Sequence, residues 1–586
     1  MGPQAAKSIY DVEQIARLPR HLTRYIVEQN YDDYSPIDHA VWRTIMRQAF
    51  DFHRRHAHPS YLEGLERSGI GLERIPRVEE MNEILGRIGW GAAPVDGFIP
   101  PAAFMEFQAH RVLVIAADMR QINHIEYTPA PDIIHEAAGH APIIADPEYA
   151  EYLRRFGEIG SRAMSSREDF ELYEAIRHLS ILKEAPGTPA AEIAEAERRV
   201  TEKQAALGEP SEMTRLSRLH WWTVEYGMIG GLDNPRLYGA GLLSSIGEAA
   251  HCLTPAVRKL PYTPAAADVA FDITTMQPQL FVTPDFAHLT EVLERFADTM
   301  AFRRGGRYGL DQAIRSANVA TWQLSSGLQV SGVVTAFLTD DEGSPVFVRC
   351  TGPVALAVDG RQLGGHGKGT HADGFSSPVG RPLGCERPLE ELDDRELARF
   401  GLVVGRDAHL EYPGGVTVAG RLEAVRRERS RVVLLTFSGC RVSCGAETLF
   451  DPAWGSYDLA VGAAVTSVFH GAADKEAYEQ VAFVPRERTI KVSADEPTRR
   501  LHELYSQVRE IRETGQGHER LAGILGQVRA EHPDDWLLTV ETLEILVQRG
   551  LEPGLQTEIR RRLGELAASS GERAKLITNA LRLLEN

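Results

Sequence analysis

The run PDIIHEAAGH, Pro131 to His140, sets two histidines around a Glu-Ala-Ala-Gly core. Imidazole is the commonest protein ligand for zinc and non-haem iron, so the pair reads as part of a metal site. The H-E-x-x-H zinc motif spaces its histidines four residues apart and puts both on one helical face. Here the step is five, which on an ideal α-helix splays the side chains by about 140°. Convergence then requires the helix to end or bend between them. Gly139 precedes His140, and Pro142 disfavours helix at Ala141, so the sequence offers such a break. The bland alternative is a helix with two incidental histidines. Against it stand Asp132, His135, Glu136 and His140, which crowd polar groups into an apolar stretch where burial without partners or a metal is costly. A third ligand has to come from elsewhere.

Outward from this run, the 586 residues allow two to four domains at roughly 150 residues each. No apolar stretch approaches the roughly 20 residues needed to span a bilayer. The start, MGPQAAKSIYDVEQ, has no apolar core of the kind a secretory signal carries. A net charge of −18 argues against nucleic acid or an anionic membrane as partner. Five scattered cysteines (Cys252, Cys350, Cys385, Cys440, Cys444) fit reduced thiols and a cytoplasmic location better than a disulfide framework. Cys440 and Cys444 lack a matching second pair and read as strand cysteines, not as a zinc site.

The chain reads as multidomain: a mainly α-helical domain (1–315), a β-rich module (316–494) and a helical C-terminal module (495–586). Residues 38–55 repeat apolar side chains at three- and four-residue steps, as an amphipathic helix does. Residues 102–119 read as a helix, or a helix leading into a strand, and 214–231 as a helix ending at a glycine pair. The charged segment 165–208 reads as a solvated helical hairpin. From about 320 the residues become β-branched and Gly-punctuated, with strands expected near 328–338, 353–360, 415–425 and 431–443. Residues 501–511 and 533–550 return to helical periodicity. The run GGHGKGTHADG (364–374) fails the P-loop pattern, because Gly369 follows Lys368 where Ser or Thr is required, and reads as a flexible loop. HRRHAHP (53–59) looks metal-like but reads as a solvated helix end.

YTPAPDIIHEAAGHAPIIADPEYAEYLRRFG (127–157), followed by HWWTVEYG (220–227) and YGAGLLSSIGE (238–248), resembles the iron- and tetrahydropterin-dependent aromatic amino acid hydroxylases over roughly residues 20–305. The resemblance implies that His135, His140 and Glu225 ligate Fe(II), a two-histidine, one-carboxylate set that leaves open positions for oxygen chemistry. It implies that Arg120 clamps the amino acid carboxylate, a role suited to a guanidinium fork. Thr128 and Asp132 would help hold the amino acid and that arginine. Pro131 and Trp221 would wall the ring pocket, with Gly241 and Ser244 as further substrate contacts. Phe104 would stack on the pterin, Gly97 and Ile99 would cradle it, and Glu136 would face it. Each residue alone has a duller reading: Trp221 and Phe104 as core, Arg120 as a surface pair, Ser244 as a cap.

The implied activity is ring hydroxylation of a free aromatic amino acid with Fe(II), tetrahydropterin and O2, most simply phenylalanine to tyrosine. Trp221 matches phenylalanine- and tyrosine-hydroxylating members. Ile273 falls where phenylalanine hydroxylases carry an apolar residue, and a buried apolar wall would leave a tyrosine hydroxyl unpaired. Hydroxylation of tryptophan or at another ring position is the alternative within the class. A zinc metallohydrolase is the alternative outside it, though a hydrolase needs neither Arg120 nor Phe104. The chain departs from the family at His220, where a tyrosine is usual, at Ala137-Ala138, where leucines are usual, and in the long stretch between His140 and Glu225. There is no room for an N-terminal regulatory domain of the animal type. Residues beyond about 320 match no known module; oligomerisation, partner docking and substrate gating are all open roles for them.

Overall fold

The computed structural model describes residues 11–95, 99–122, 125, 132–184, 188–273, 275–478, 495–568 and 571–585. The axis of the N-terminal half is the helix Pro36–His56. Ser35 starts it: its hydroxyl accepts from the Asp38 amide while the Asp38 carboxylate returns a bond to the Ser35 amide, and Pro36 fills the first turn. Trp42, Ile45 and Met46 on this helix are fully buried in the main core. Two parallel strands, Gly91–Val95 and Val112–Ala116, bracket the helix Pro101–Ala109, so the expected helix over 102–119 is a helix leading into a strand. A small mixed sheet of Met228–Ile229, Arg236–Leu237, Arg258–Pro261 and Gln279–Thr283 closes the other side. The charged insertion folds as two helices, Arg167–Glu184 and Ala190–Ala205. Lys203–Glu171 (2.6 Å) and Lys183–Glu197 (2.9 Å) ion pairs tie them together.

Two sheets follow. In the first, Leu328–Thr339 and Pro345–Val358 form a long antiparallel hairpin flanked by Val319–Leu324 and Val465–His470, and Gly374–Pro378 pairs with Pro345–Val358. In the second, Val416–Glu428 and Arg431–Cys444 form the central hairpin, with Asp407–Glu411, Glu447–Phe450 and Tyr457–Ala460 beside them. Register shifts interrupt both hairpins and let them bend over their own cores. Ala301, Leu310 and Ala313, from helices that precede residue 316, already pack into the core of the first sheet.

The C-terminal helices Glu496–Thr514, Leu521–Glu531, Leu537–Arg549, Pro553–Ala568 and Gly571–Leu583 share the core of the N-terminal half. Their contact with the helix Pro36–His56 is sealed by a buried charge network. Glu541 accepts from Arg43 Nε and Nη2 (2.9 and 2.7 Å) and pairs with Arg512 (3.1 Å), and Glu544 pairs with Arg512 (3.0 Å). Among the described residues no helix is long and apolar enough to cross a membrane.

Two local expectations need correction. The segment 214–231 is not one helix: an α-helix, Glu212–His220, passes into a π-helical turn, Trp221–Glu225, before the strand Met228–Ile229. His53 is not on a solvated face. It is fully buried, and its Nε2 lies 2.9 Å from the Leu243 carbonyl, so the helix end is used to brace the segment 240–244.

Candidate metal centre

His135 and His140 lie on a π-helical turn, Ile134–His140, which settles the five-residue spacing. An i→i+5 winding stacks residues five apart, where an α-helix would splay them. The expected break at Ala141 does not occur; Ala141 keeps helical dihedrals (φ −63°, ψ −39°). Glu225 closes the second π turn, so a wide turn presents each part of the cluster. The short helix Ala240–Ser244 packs against both turns. Glycines permit that approach. A Cβ on Gly139 would sit 2.8 Å from the Ala240 carbonyl oxygen, and one on Gly241 would sit 3.0 Å from the Glu225 carbonyl oxygen.

The three side chains converge. His135 Nε2 lies 3.2 Å from His140 Nε2 and 3.1 Å from Glu225 Oε2, and His140 Nε2 lies 3.4 Å from Glu225 Oε1. Donors about 2.1 Å from a shared ion stand about 3.0 Å apart at right angles and about 3.4 Å apart at tetrahedral angles. The observed spacings fall in that window, and two imidazoles with one carboxylate suit Fe(II). Glu136 Oε2 is buried without a hydrogen-bond partner 3.8 Å from His140 Nε2, an orphaned oxygen at the edge of the cluster. Burial disfavours the charged form of His135, yet Glu225 and Glu136 outweigh it and bring its pKa up to about 9. Burial raises Glu225 in turn, and the two histidines outweigh that and hold it well below the usual carboxylate range. Burial pushes Glu136 up, with the Glu225 and Asp132 carboxylates adding to it, and outweighs the two histidines.

Around the cluster, Ser244 Oγ stands 3.1 Å from His135 Nδ1, a partner that leaves Nε2 turned to the centre. Asp132 does two jobs. Its carboxylate accepts from Arg120 Nε (2.6 Å) and Nη2 (2.8 Å), and it also accepts from the His135 amide (3.0 Å). Burial raises Asp132, and Arg120 outweighs that and holds it below the usual range. Arg120 Nη1 donates to the Ile125 carbonyl, so three of the five N–H groups of this buried guanidinium are engaged among the described residues. His220, the departure from the usual tyrosine, is buried, 3.7 Å from Glu225 Oε1, and burial lowers its pKa to about 4. Phe104 meets its ring edge-on at 5.6 Å, which brings the helix Pro101–Ala109 beside the cluster; Ile99 is buried just before that helix.

Trp221 stacks between Tyr226 (4.6 Å) and Phe271 (4.3 Å, nearly parallel). Phe271 and Tyr226 are partners of Trp221 that the sequence reading missed, and the segment around Phe271 is the signal that was available. Ile273 does not form a buried wall. It is 39% exposed, because the loop is folded around Gln277, whose amide donates to the Asp272 and Thr275 carbonyls. The argument for phenylalanine from a buried apolar wall at Ile273 therefore falls. Gly241 is buried against Glu225 and Tyr226, and Ser244 against His135. Gly97, Thr128 and Pro131 lie outside the described residues.

Residues 24–179 and 181–309 match the family model for biopterin-dependent aromatic amino acid hydroxylases, and through this region the chain belongs to that family. It is 27% identical to a phenylalanine-4-hydroxylase of Pseudomonas aeruginosa over 285 residues, which is 48% of this chain and 91% of that protein. It is 29% identical to the phenylalanine-4-hydroxylase of Chromobacterium violaceum over 233 residues, covering 40% of this chain and 64% of that protein. A crystal structure of C. violaceum phenylalanine hydroxylase with iron(III) and 7,8-dihydrobiopterin aligns at a TM-score of 0.37 and 25% identity, over 51% of this chain and 95% of that one.

Proposed function

We propose that the chain is a monooxygenase that hydroxylates the ring of free phenylalanine to give tyrosine, using Fe(II), tetrahydropterin and O2. The observation that carries this reading is the convergence of His135 Nε2, His140 Nε2 and the Glu225 carboxylate inside the segment that belongs to the hydroxylase family. Phenylalanine is preferred over other aromatic amino acids because the relatives of this region are phenylalanine hydroxylases. Family membership also speaks against a zinc hydrolase.

Fe(II) and the reduced pterin, when bound, supply the activation of O2. The chain's own part is holding and orienting. His135, His140 and Glu225 hold the metal on one side and leave the other open, while Ser244 fixes the His135 ring. Arg120, held rigid by Asp132, offers its remaining N–H groups to the amino acid carboxylate. Trp221 and Gly241 line the amino acid side, with Trp221 fixed by Phe271. Phe104 and Ile99 form the pterin side, and Glu136 keeps a buried oxygen without a hydrogen-bond partner beside His140. His140 and Glu136 are buried, so the floor of the site excludes bulk water.

The test is anaerobic loading with Fe(II), then turnover with tetrahydropterin and O2 on phenylalanine, tyrosine and tryptophan separately. Tyrosine formed from phenylalanine only when pterin is present is the expected result, and His135→Ala should lose both iron and turnover. Retention of stoichiometric iron and turnover by His135→Ala, or product from tryptophan alone, would overturn the assignment.

A further inference from the structure

The Gly-rich loop that failed the P-loop pattern carries a second cluster. His366 Nδ1 and His371 Nε2 face each other at 3.3 Å, their rings stacked at 5.6 Å. Asp458 Oδ2 lies 3.5 Å from the first nitrogen and 3.8 Å from the second. The two carboxylate separations are long for direct hydrogen bonds, which for N–H···O lie near 2.7–3.2 Å. They are close to the spacing of donors arranged around one ion, about 3.0–3.4 Å. Three good ligand atoms thus converge on a common space, the two imidazole nitrogens within hydrogen-bond reach of each other and the carboxylate oxygen just beyond it.

The cluster is also prearranged. The His366 carbonyl accepts from the Leu356 amide (2.9 Å) and the His371 carbonyl from the Val354 amide (2.9 Å), so both histidines are fastened to the strand Pro345–Val358 of the first sheet. Asp458 comes from Tyr457–Ala460 in the second sheet, and the Thr436 hydroxyl donates to its Oδ1 at 2.6 Å, which leaves Oδ2 turned to the histidines. A hydrogen bond on the non-ligating atom is how metal-binding side chains are commonly oriented. Gly365 takes a left-handed conformation (φ +85°) just before His366, which gives the glycines of this loop a structural task. The nearby cation, Lys368, is engaged over the Tyr478 ring at 4.9 Å.

We propose that His366, His371 and Asp458 form a second metal site, separate from His135, His140 and Glu225, that takes a divalent transition ion of the zinc class. The ion ties the 364–374 loop of the first sheet to a strand of the second. The three side chains are 9–16% exposed, which leaves a narrow opening through which solvent completes the coordination. The donor set suits zinc, with its preference for tetrahedral nitrogen and oxygen ligands.

The experiment uses the full-length protein stripped with a chelator and titrated with Co(II), which reports tetrahedral coordination by its visible absorption, alongside elemental analysis after Zn(II) loading. The wild-type chain should take two equivalents. His371→Ala and the shape-conserving Asp458→Asn should each take one and keep pterin-dependent turnover; His135→Ala should also take one, with the tetrahedral cobalt bands intact. A wild-type stoichiometry of one would overturn the site, as would a second equivalent that survives in both His371→Ala and Asp458→Asn. Because the site is read from binding stoichiometry, its failure is distinguishable from a failure of the hydroxylase assignment, which is read from turnover.

Discussion

Replacing Glu541 by Gln tests how the C-terminal helices are held to the rest of the molecule. The Glu541 carboxylate is 1% exposed and accepts Arg43 Nε at 2.9 and 3.0 Å and Nη2 at 2.7 Å, with Arg512 Nη2 at 3.1 Å. Glutamine preserves the shape but removes the charge, and its amide group has to face a guanidinium N–H. Arg43, 3% exposed, then keeps one amide oxygen at position 541 and the Glu73 carbonyl at 3.0 Å as acceptors, and loses its bidentate carboxylate. Stripping one partner from a buried ion pair costs about 3–5 kcal/mol, because the other charge stays desolvated and unpaired. With urea slopes of roughly 1–3 kcal/mol per molar, the unfolding midpoint should fall by at least about 1 M. Arg512 and Glu544 remain paired at 3.0 Å, so the loss should stay near the lower end of the range. Combining Arg43→Met with Glu541→Gln should cost less than the sum of the single changes by more than about 1 kcal/mol, since the double variant buries no orphaned charge. Strict additivity, or a midpoint unchanged in Glu541→Gln, would refute the view that this network fastens the C-terminal helices.

Two further changes probe the site's surroundings. Ser244→Ala removes the partner of His135 Nδ1 and should weaken Fe(II) binding about 10–100-fold with the unfolding midpoint nearly unchanged, a result measurable by competitive metal titration. Burial raises the Glu248 pKa from 4.5 to about 7, so the folded state favours its neutral form. That contribution is fully present below about pH 4.5 and is lost as pH rises through about 7. Thermal melts of Glu248→Gln and wild type should therefore diverge between pH 5 and pH 8, with the variant gaining relative to wild type at the higher pH; parallel profiles would contradict the assignment.

The parts of this chain that were legible in the sequence are those governed by local periodicity or by long motifs. The helices around 38–55, 501–511 and 533–550 and the strands near 328–338 and 431–443 follow from side-chain spacing, which short-range geometry enforces. The π turns were not legible, because their winding shows only as a mismatch: the five-residue histidine step is a defect for an α-helix and matches the i→i+5 hydrogen-bond step of a wider one. Ser244 was read as a substrate contact, since nothing local tells that its hydroxyl meets a histidine 109 residues earlier. Glu541 and Glu544 stood out in an otherwise apolar helix, TVETLEIL, but their arginines lie on distant segments. The histidines of GGHGKGTHADG repeat the five-residue step of the first site, and the phosphate-loop question drew attention from that spacing.

The helix Pro36–His56 shows why residues far apart in the chain share one structural fate. Arg43 sits near its first third, fastened to Glu541, and His53 near its end, fastened to the Leu243 carbonyl. Ten residues at 1.5 Å each separate these contacts by about 15 Å. Leu243 precedes Ser244, whose hydroxyl meets His135, so one rigid rod runs from the C-terminal helices to the neighbour of His135. The same helix buries Ile45, Met46 and Ala49 between the two attachments, and close packing leaves it little room to tilt. The C-terminal helices therefore belong physically to the N-terminal half, completing the core on which the His135, His140 and Glu225 cluster is mounted, while the β-rich segment between them carries its own two apolar cores and its own cluster of His366, His371 and Asp458.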